Sequence, residues 1–199
     1  NEGLTERTMI TGDIMVDALA NNIDKAKKRS DIVERYNLEK SGYYLLTLHR
    51  PYNVDDPYNL SKIFNILSSL NKKVIFPVHP RTKKVIETYG ILIPDIIVIT
   101  NPIGYIDFLA LEYFSSKIIT DSGGVQKEAY ILKKPCITIR SETEWLETVE
   151  SGWNILVDVE SDYFIDAIET FNPSKEQSDI FGKNVANKMF SIIKQIMSV

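Results

Sequence analysis

The sequence is poor in the residues that build disulfide frameworks and metal centres. It contains one cysteine, Cys136, and two histidines among 199 residues. A single cysteine excludes an internal disulfide and is compatible with a reducing compartment. Cys136 follows Pro135 in an apolar run, which favours a small buried residue over a catalytic thiol. Two histidines and one cysteine show no metal-ligand spacing, so we expect no metal site.

Long apolar runs and an excess of positive charge are also missing. No stretch approaches the roughly 18 apolar residues of a membrane helix, and the first residues, NEGLTERTM, lack the apolar core of a signal peptide. The 23 basic and 27 acidic residues give a net charge of −4, which attracts neither nucleic acid nor an anionic membrane. We therefore expect a cytoplasmic protein without nucleic-acid or membrane partners, in which a local arrangement would have to hold any bound phosphate.

Short apolar runs alternate with helical patterns along the chain. The runs predict strands at residues 43–48, 73–76, 96–99, 117–120 and 136–139. The patterns predict helices at 13–29, 60–70, 83–89, 106–114, 125–132, 162–171 and 183–197. Nearly continuous apolar strands, each followed by a helix, are typical of an α/β parallel sheet covered on both faces. We predict one domain over residues 1–199 with a carboxyl-terminal helical extension.

Polar residues collect where the predicted strands end. The first strand leads into His49 and Arg50, the second into His79 and Arg81, and the fourth into a segment that begins at Asp121. Ligands of parallel α/β sheets bind at the carboxyl ends of the strands. Both histidines of the chain thus lie at the edge where a ligand is expected.

The segment IITDSGGVQKEA, residues 118–129, places two glycines between an apolar strand and a predicted helix. A helix that begins near Gly124 presents free amide groups and a partial positive charge, and Gly123 and Gly124 allow an anion to approach the backbone. Ser122 adds a hydroxyl, and the Glu128 carboxylate, one turn on, can accept hydrogen bonds from two ribose hydroxyls. These features predict a nucleoside diphosphate site.

A plainer interpretation of the same segment stays open. Ser122 can simply cap the helix, the glycines can fit a tight turn, and Glu128 can lie on a solvated face. The segment contains neither the GK[ST] of a Walker A loop nor G-x-G-x-x-G.

Four ordered segments resemble the non-hydrolysing UDP-N-acetylglucosamine 2-epimerases. They are TLHRP at 47–51 with Asn53, FPVHP at 76–80, TDSGGVQKEA at 120–129 and RSETEWLETVESGWN at 140–154. The resemblance covers essentially the whole chain and about half of the family's usual protein. It implies a Rossmann-like, UDP-binding carboxyl-terminal domain, one half of a two-domain GT-B-like architecture. The family's amino-terminal domain, whose carboxylates take part in the chemistry, has no counterpart in these residues.

The resemblance also implies a reaction. Such isomerases interconvert UDP-N-acetylglucosamine and UDP-N-acetylmannosamine, a precursor of surface polysaccharides, by elimination of UDP to a glycal followed by re-addition on the other face of carbon 2. They need no cofactor. We expect this chain to bind UDP and UDP-N-acetylhexosamines, to be inactive without the missing domain, and to allow a homodimer in the longer form.

Site residues follow from the resemblance position by position. Ser122, Gly123 and Gly124 are implied to hold the diphosphate, Glu128 the ribose, and His49 to act in catalysis. Further residues are assigned to the nucleotide-sugar, to a second regulatory site, or to the loop that faces the cleft: Arg50, His79, Arg140 and Glu144. To these binding residues we add Arg81, because it lies at the same predicted edge.

One position departs from the family pattern His-Arg-x-Glu-Asn. Tyr52 occupies the place where glutamate is common, so a negative charge is missing, and a change of regulation, of substrate or of neither stays open. Two other functions also stay open. One is a hydrolysing epimerase or a nucleotide-sugar glycosyltransferase, and the other is a stand-alone UDP-sugar-binding module.

Overall fold

A computed structural model describes residues 8–198 of the chain. The segment NEGLTERTM, residues 1–9, which lacks the apolar core of a signal peptide, therefore lies mostly outside the described residues. The sheet has six strands, all parallel, in the order β3-β2-β1-β4-β5-β6. The strands are β1 (Tyr43–Thr47), β2 (Lys73–Pro77), β3 (Ile97–Thr100), β4 (Lys117–Thr120), β5 (Cys136–Thr138) and β6 (Asn154–Leu156). The parallel sheet is confirmed, and β6 was not predicted.

Helices separate and flank these strands. They are α1 (Met15–Arg29), α2 (Ile32–Arg35), α3 (Pro51–Val54), α4 (Pro57–Leu67), α5 (Pro80–Tyr89), α6 (Tyr105–Phe114), α7 (Gly123–Ile131), α8 (Leu146–Glu150), α9 (Phe164–Thr170) and α10 (Val185–Met197). The short helices α2, α3 and α8 were not predicted. Among the described residues, no helix has the length and apolar character that crossing a membrane requires.

The core lies on both faces of the sheet, as predicted. Alternate residues of β1 point to opposite sides, so Tyr44 and Leu46 belong to one buried cluster and Tyr43 and Leu45 to the other. The first cluster includes residues of α4, α5 and α9, and the second includes residues of α1, α2, α6 and α7. Burial on both faces explains why the strands are apolar throughout.

The strand order reverses between β1 and β4. The chain runs outward from β1 to β2 and β3, then returns to place β4 on the other side of β1. In that pair Thr47 lies opposite Thr120, and the two hydroxyl oxygens are 2.5 Å apart. The segments that follow, from Leu48 and from Asp121, lead to helices. Such a reversal opens a crevice at the carboxyl ends of the two strands.

The carboxyl-terminal helices pack against the start of the chain. The backbone amide of Asp13 donates to the carbonyl of Phe181 over 2.9 Å, and the amide of Ala186 donates to Asp17 Oδ2 over 2.7 Å. A side chain at Gly12 would meet the Phe181 carbonyl oxygen at 2.7 Å, which explains this glycine with its φ of +104°. The helical extension is thus joined to α1.

Candidate functional site

A buried carboxylate occupies the crevice between β1 and β4. Asp121 is fully buried, and its oxygens accept hydrogen bonds from the backbone amides of His49 (3.1 Å) and Arg50 (3.0 Å). The side-chain amide of Asn53 donates to Asp121 Oδ2 over 3.1 Å and to the carbonyl of Ile139 over 3.1 Å. One carboxylate therefore holds together the loops that follow β1, β4 and β5.

The His49 imidazole lies against the same carboxylate. Its Nδ1 is 2.9 Å from Asp121 Oδ1, and 47% of the side chain is exposed. A ring nitrogen this close to a carboxylate oxygen carries the hydrogen, because two lone pairs would repel. Nε2 is then the nitrogen available to a ligand. The carboxylate thus fixes the tautomer and the orientation of the ring, and Nε2 can accept a proton from a ligand.

Helix α7 begins directly after Asp121 and Ser122. The Ser122 hydroxyl accepts from the amide of Val125 over 3.5 Å, so Ser122 does cap the helix. The first amides of a helix still lack intrahelical partners and carry a partial positive charge. Capping and anion binding are therefore compatible in this segment.

The two glycines of α7 differ in their surroundings. Neither has a positive φ, so neither is required by a left-handed turn. A Cβ at Gly123 would lie 3.0 Å from Trp145 Nε1, whereas a Cβ at Gly124 would meet only Ser122 Oγ, at 3.8 Å. Packing against Trp145 accounts for Gly123. At Gly124 the backbone borders open space that a ligand can enter.

Two arginines and a glutamate connect the loops around this helix terminus. Arg140 donates to Glu144 over 2.7 and 3.1 Å, and Arg50 Nη2 donates to Glu144 Oε1 over 3.2 Å. Hydrogen bonding from Arg140 in particular lowers the pKa of Glu144 to about 2. Glu144 Oε2 would also lie 3.5 Å from a Cβ at Gly123. Both guanidinium groups are thus held near the start of α7.

Buried polar contacts fix the position of the loop that carries Glu144 and Trp145. Gln126 of α7 is fully buried, and its Oε1 accepts from Thr143 Oγ1 over 2.6 Å and from Asn154 Nδ2 over 3.2 Å. The Thr143 hydroxyl also accepts from the backbone amide of Trp145 over 3.1 Å. The loop after β5 is therefore anchored to α7 and to β6, the strand that sequence reasoning missed.

A cleft of about 360 Å³ adjoins the arginines. Its lining includes Arg50, Tyr52, Asn53, Arg140 and Glu142. The Tyr52 side chain is exposed, so the position that departs from the family pattern faces solvent beside a polar cleft. A change of charge at this position bears on whatever enters the cleft.

Glu128 does not lie on a solvated face. It is half-buried on α7, and its carboxyl group lies beside that of Glu112 on α6. Burial raises the pKa of both groups. Glu112 is fully buried, and its pKa lies well above the ordinary value. Sequence reasoning missed Glu112; the available signal was an acidic residue inside the apolar pattern of α6.

The residues after β2 lie apart from this cluster. His79 caps α5, with Nδ1 accepting from the amide of Arg81 over 3.2 Å, and the Arg81 guanidinium forms an ion pair with Asp55. In the part of the chain that the structure describes, no hydrogen bond or ion pair joins either residue to Asp121. Their assignment to the binding site stays a prediction.

The remaining sequence predictions concern metals and the cysteine. Among residues 8–198, no three histidine, cysteine, aspartate or glutamate side chains are placed to hold a metal ion. Cys136 is buried, and burial raises its pKa to about 12. The prediction that it is a small buried residue is confirmed, because a thiol with this pKa is not a nucleophile at neutral pH.

The fold and the crevice define a class of protein. A parallel sheet with helices on both faces, and a helix amino terminus at the point where strand order reverses, make this a Rossmann-like α/β domain with a crevice at that helix terminus. The sequence model of UDP-N-acetylglucosamine 2-epimerase matches residues 1–194. The chain therefore belongs to the UDP-N-acetylglucosamine 2-epimerase family, as the resemblance predicted.

Individual relatives support this assignment. The chain is 41% identical over 203 residues to a UDP-N-acetylglucosamine 2-epimerase homolog of Methanococcus maripaludis, covering 98% of this chain and 57% of that protein. It is 35% identical over 176 residues to the UDP-2,3-diacetamido-2,3-dideoxy-D-glucuronate 2-epimerase of Pseudomonas aeruginosa, covering 85% of this chain and 48% of that protein. The chain thus spans about half the length of the curated relatives it matches, and it corresponds to the carboxyl-terminal part of the family.

A solved structure gives the same result for the fold. The Methanocaldococcus jannaschii UDP-GlcNAc 2-epimerase, in complex with UDP-GlcNAc and UDP, superimposes with a TM-score of 0.83 at 38% identity. The match covers 96% of this chain and 55% of that one. The predicted Rossmann-like fold is confirmed.

Proposed function

We propose that this chain is the UDP-binding domain of a non-hydrolysing UDP-N-acetylglucosamine 2-epimerase. The observation that carries the proposal is the Asp121 junction. One buried carboxylate fixes the loop that bears His49 and directly precedes the segment of Ser122, Gly123 and Gly124. A group that transfers protons and a site for an anion are thereby held in one rigid unit.

UDP fits this unit by its chemistry. The diphosphate lies at the amino terminus of α7, where free amides and the Ser122 hydroxyl donate hydrogen bonds and Gly124 leaves room. Arg50 and Arg140 donate hydrogen bonds to the phosphate oxygens, either in place of their bonds to Glu144 or in addition to them. Glu128 accepts hydrogen bonds from the two ribose hydroxyls. The binding of UDP-GlcNAc and UDP by the M. jannaschii relative supports this placement.

The reaction needs both stabilisation of the leaving group and proton transfer. A base removes the proton from carbon 2 of the sugar, its electron pair forms the double bond between carbons 1 and 2, and UDP leaves with the electrons of the bond to carbon 1. The helix terminus and the two arginines stabilise the charge that develops on UDP. His49 takes up or delivers a proton through Nε2 while Asp121 holds the orientation of the ring. UDP then returns to carbon 1 on its original face and a proton is added to carbon 2 on the opposite face, which inverts carbon 2.

Turnover requires the half of the protein that this chain does not contain. The family's chemistry draws on carboxylates of the amino-terminal domain, so we infer that the 199-residue chain binds UDP weakly and does not turn over by itself. The full-length protein is incubated with UDP-N-acetylglucosamine in deuterated water. Formation of UDP-N-acetylmannosamine with deuterium at carbon 2 is expected, whereas free N-acetylmannosamine and UDP would contradict the non-hydrolysing mechanism.

A second candidate function is a 2-epimerase for another UDP-sugar. The P. aeruginosa relative named for a diacetamido-glucuronate favours it, and Tyr52 beside the polar cleft marks a local difference from the family pattern. Comparing kcat/KM for UDP-N-acetylglucosamine and for UDP-2,3-diacetamido-2,3-dideoxy-D-glucuronate separates the two. Preference for the glucuronate would establish the second candidate.

A further inference from the structure

Helices α6 and α7 bring two glutamates together in the interior. Glu112 of α6 is fully buried, with an accessible fraction of 0%. Among the described residues, neither of its carboxyl oxygens accepts a hydrogen bond from a conventional donor. The carboxyl group of Glu128 on α7 lies beside Glu112 and interacts with it. Two carboxyl groups form a hydrogen bond only if one of them carries a proton.

Three ionisable groups of the described residues interact with the pair. They are Tyr105 on α6, Lys127 on α7 and Cys136 on β5. Lys127 is the only cation of the three, and its ammonium group is bound to Asp13 Oδ2 at 2.6 Å and lies 4.2 Å from the centre of the Trp145 ring. Lys127 is therefore engaged with Asp13 and Trp145, and among the described residues Glu112 has no ion pair.

Glu112 is the member of the pair whose surroundings favour a proton. Two adjacent carboxylates in a site of low polarity cannot both be ionised, so the pair keeps one proton when exposed carboxyl groups have lost theirs. Burial and the charge of Glu128 raise the pKa of Glu112 well above its ordinary value. Glu128 is less buried and lies nearer to Lys127. The surroundings therefore favour the shared proton on Glu112 and the charge on Glu128.

We propose that Glu112 is a positioning residue, whose hydroxyl donates a hydrogen bond to Glu128 and thereby orients that carboxylate toward the two hydroxyls of a bound ribose. This inference rests on the proposed function, in which Glu128 holds the ribose of UDP. A carboxylate offers about four lone-pair positions. With one position occupied from inside, the plane of the Glu128 carboxylate is fixed and the outer positions stay available.

The protonation of Glu112 is measured without nucleotide. The chain is labelled with ¹³C at the glutamate side-chain carboxyl carbon, and carboxyl resonances are followed by NMR as the pH is raised. One signal is expected to keep the protonated shift through neutral pH and to be absent from Glu112→Gln. If every glutamate titrates near the ordinary value of about 4.3, the proposal is wrong.

UDP binding tests the positioning role. Glu112→Gln keeps a neutral donor and is expected to bind UDP within about threefold of wild type, whereas Glu112→Met removes the donor and weakens binding about tenfold. Glu87→Gln, an exposed change on α5, is the matched control. The affinity for UDP is also measured across pH in wild type and in Glu112→Gln. The ratio of the wild-type affinity to the Glu112→Gln affinity is expected to fall as Glu112 loses its proton. Taking the ratio removes the effect of the titration of uracil itself. Equal affinity in Glu112→Met and wild type would overturn the proposal.

The two layers of inference fail differently. If Glu128→Ala binds UDP as well as wild type, Glu128 does not hold the ribose, and both the ribose assignment and the positioning role are lost. The NMR signal of protonated Glu112 would persist in wild type in that case. If Glu128→Ala weakens binding and Glu112→Met does not, the ribose assignment stands and only the positioning role is refuted.

Discussion

Replacing Asp121 tests how the site is assembled. Four donor groups meet this carboxylate: the amides of His49 and Arg50, the Asn53 side chain, and the His49 ring. Asp121→Ala leaves them without their acceptor inside the crevice. A buried donor left unsatisfied costs about 1 to 3 kcal/mol, so the donors stranded together cost about 3 to 5 kcal/mol. For a chain of this size about 1 kcal/mol corresponds to roughly 2 to 4 °C, so we expect the Tm to fall by about 10 °C.

Asp121→Asn has a milder effect on the fold and a sharper effect on the histidine. The amide oxygen can take the place of Oδ2, which accepts from Arg50 and Asn53, so we expect a loss of about 1 to 2 kcal/mol. The amide NH₂ group then faces His49 Nδ1. His49 is forced into the tautomer with hydrogen on Nε2, and the lone pair assigned to catalysis is lost.

The assay combines thermal unfolding with ¹⁵N NMR of the imidazole rings. The chain has two histidines, so a His79→Asn variant assigns the His49 signals. His79 accepts a hydrogen bond at Nδ1 and serves as an internal reference for the opposite tautomer. In Asp121→Asn, the His49 spectrum is expected to become like that of His79. Asp95→Asn, an exposed change, is the control. An unchanged Tm in Asp121→Ala, or an unchanged His49 tautomer in Asp121→Asn, would refute the reasoning.

Further predictions concern the glycines, the histidine and pH. Gly124→Ala is expected to leave the free energy of unfolding unchanged or to raise it by about 0.5 kcal/mol, and to weaken UDP binding about tenfold. Gly123→Ala is expected to lower the free energy of unfolding, because its methyl group presses on Trp145. Calorimetry measures the binding and thermal unfolding the stability, and the reverse pattern would contradict this description of the site. His49→Ala in the full-length protein should lower kcat more than UDP affinity, and a larger loss of affinity would make it a binding residue. The free energy of unfolding of wild type relative to Glu112→Gln should fall as pH rises above about 4.3, because the folded protein holds a proton that the unfolded chain releases; urea unfolding across pH measures this, and parallel curves would contradict it.

The strands and helices that sequence reasoning found are those with a strong local signal. The central strands are apolar at every position because both faces are buried, so a pattern of a few residues identifies them. Strand β6 has three residues and begins with Asn154, whose side chain joins a buried polar network. So short and polar a segment gives no such signal.

The site was only partly predictable because it depends on contacts between distant segments. His49 and the glycine segment were identified, but Asp121 was not, since its partners lie 71 and 72 residues away and meet it only because β4 pairs with β1. Strand order is not visible in a local pattern. Arg81 shares the predicted edge, yet it follows β2, one strand further out, and pairs with Asp55.

The central claim is that the segment from Ser122 to Glu128 binds UDP. Calorimetric titration of the 199-residue chain with UDP tests it most directly, with phosphate, ADP and Glu128→Ala as controls. We predict selective UDP binding, with a Kd as weak as about 1 mM, and a loss of about 1.5 to 3 kcal/mol in Glu128→Ala. Tighter binding of ADP than of UDP, or equal binding by Glu128→Ala, would contradict the account.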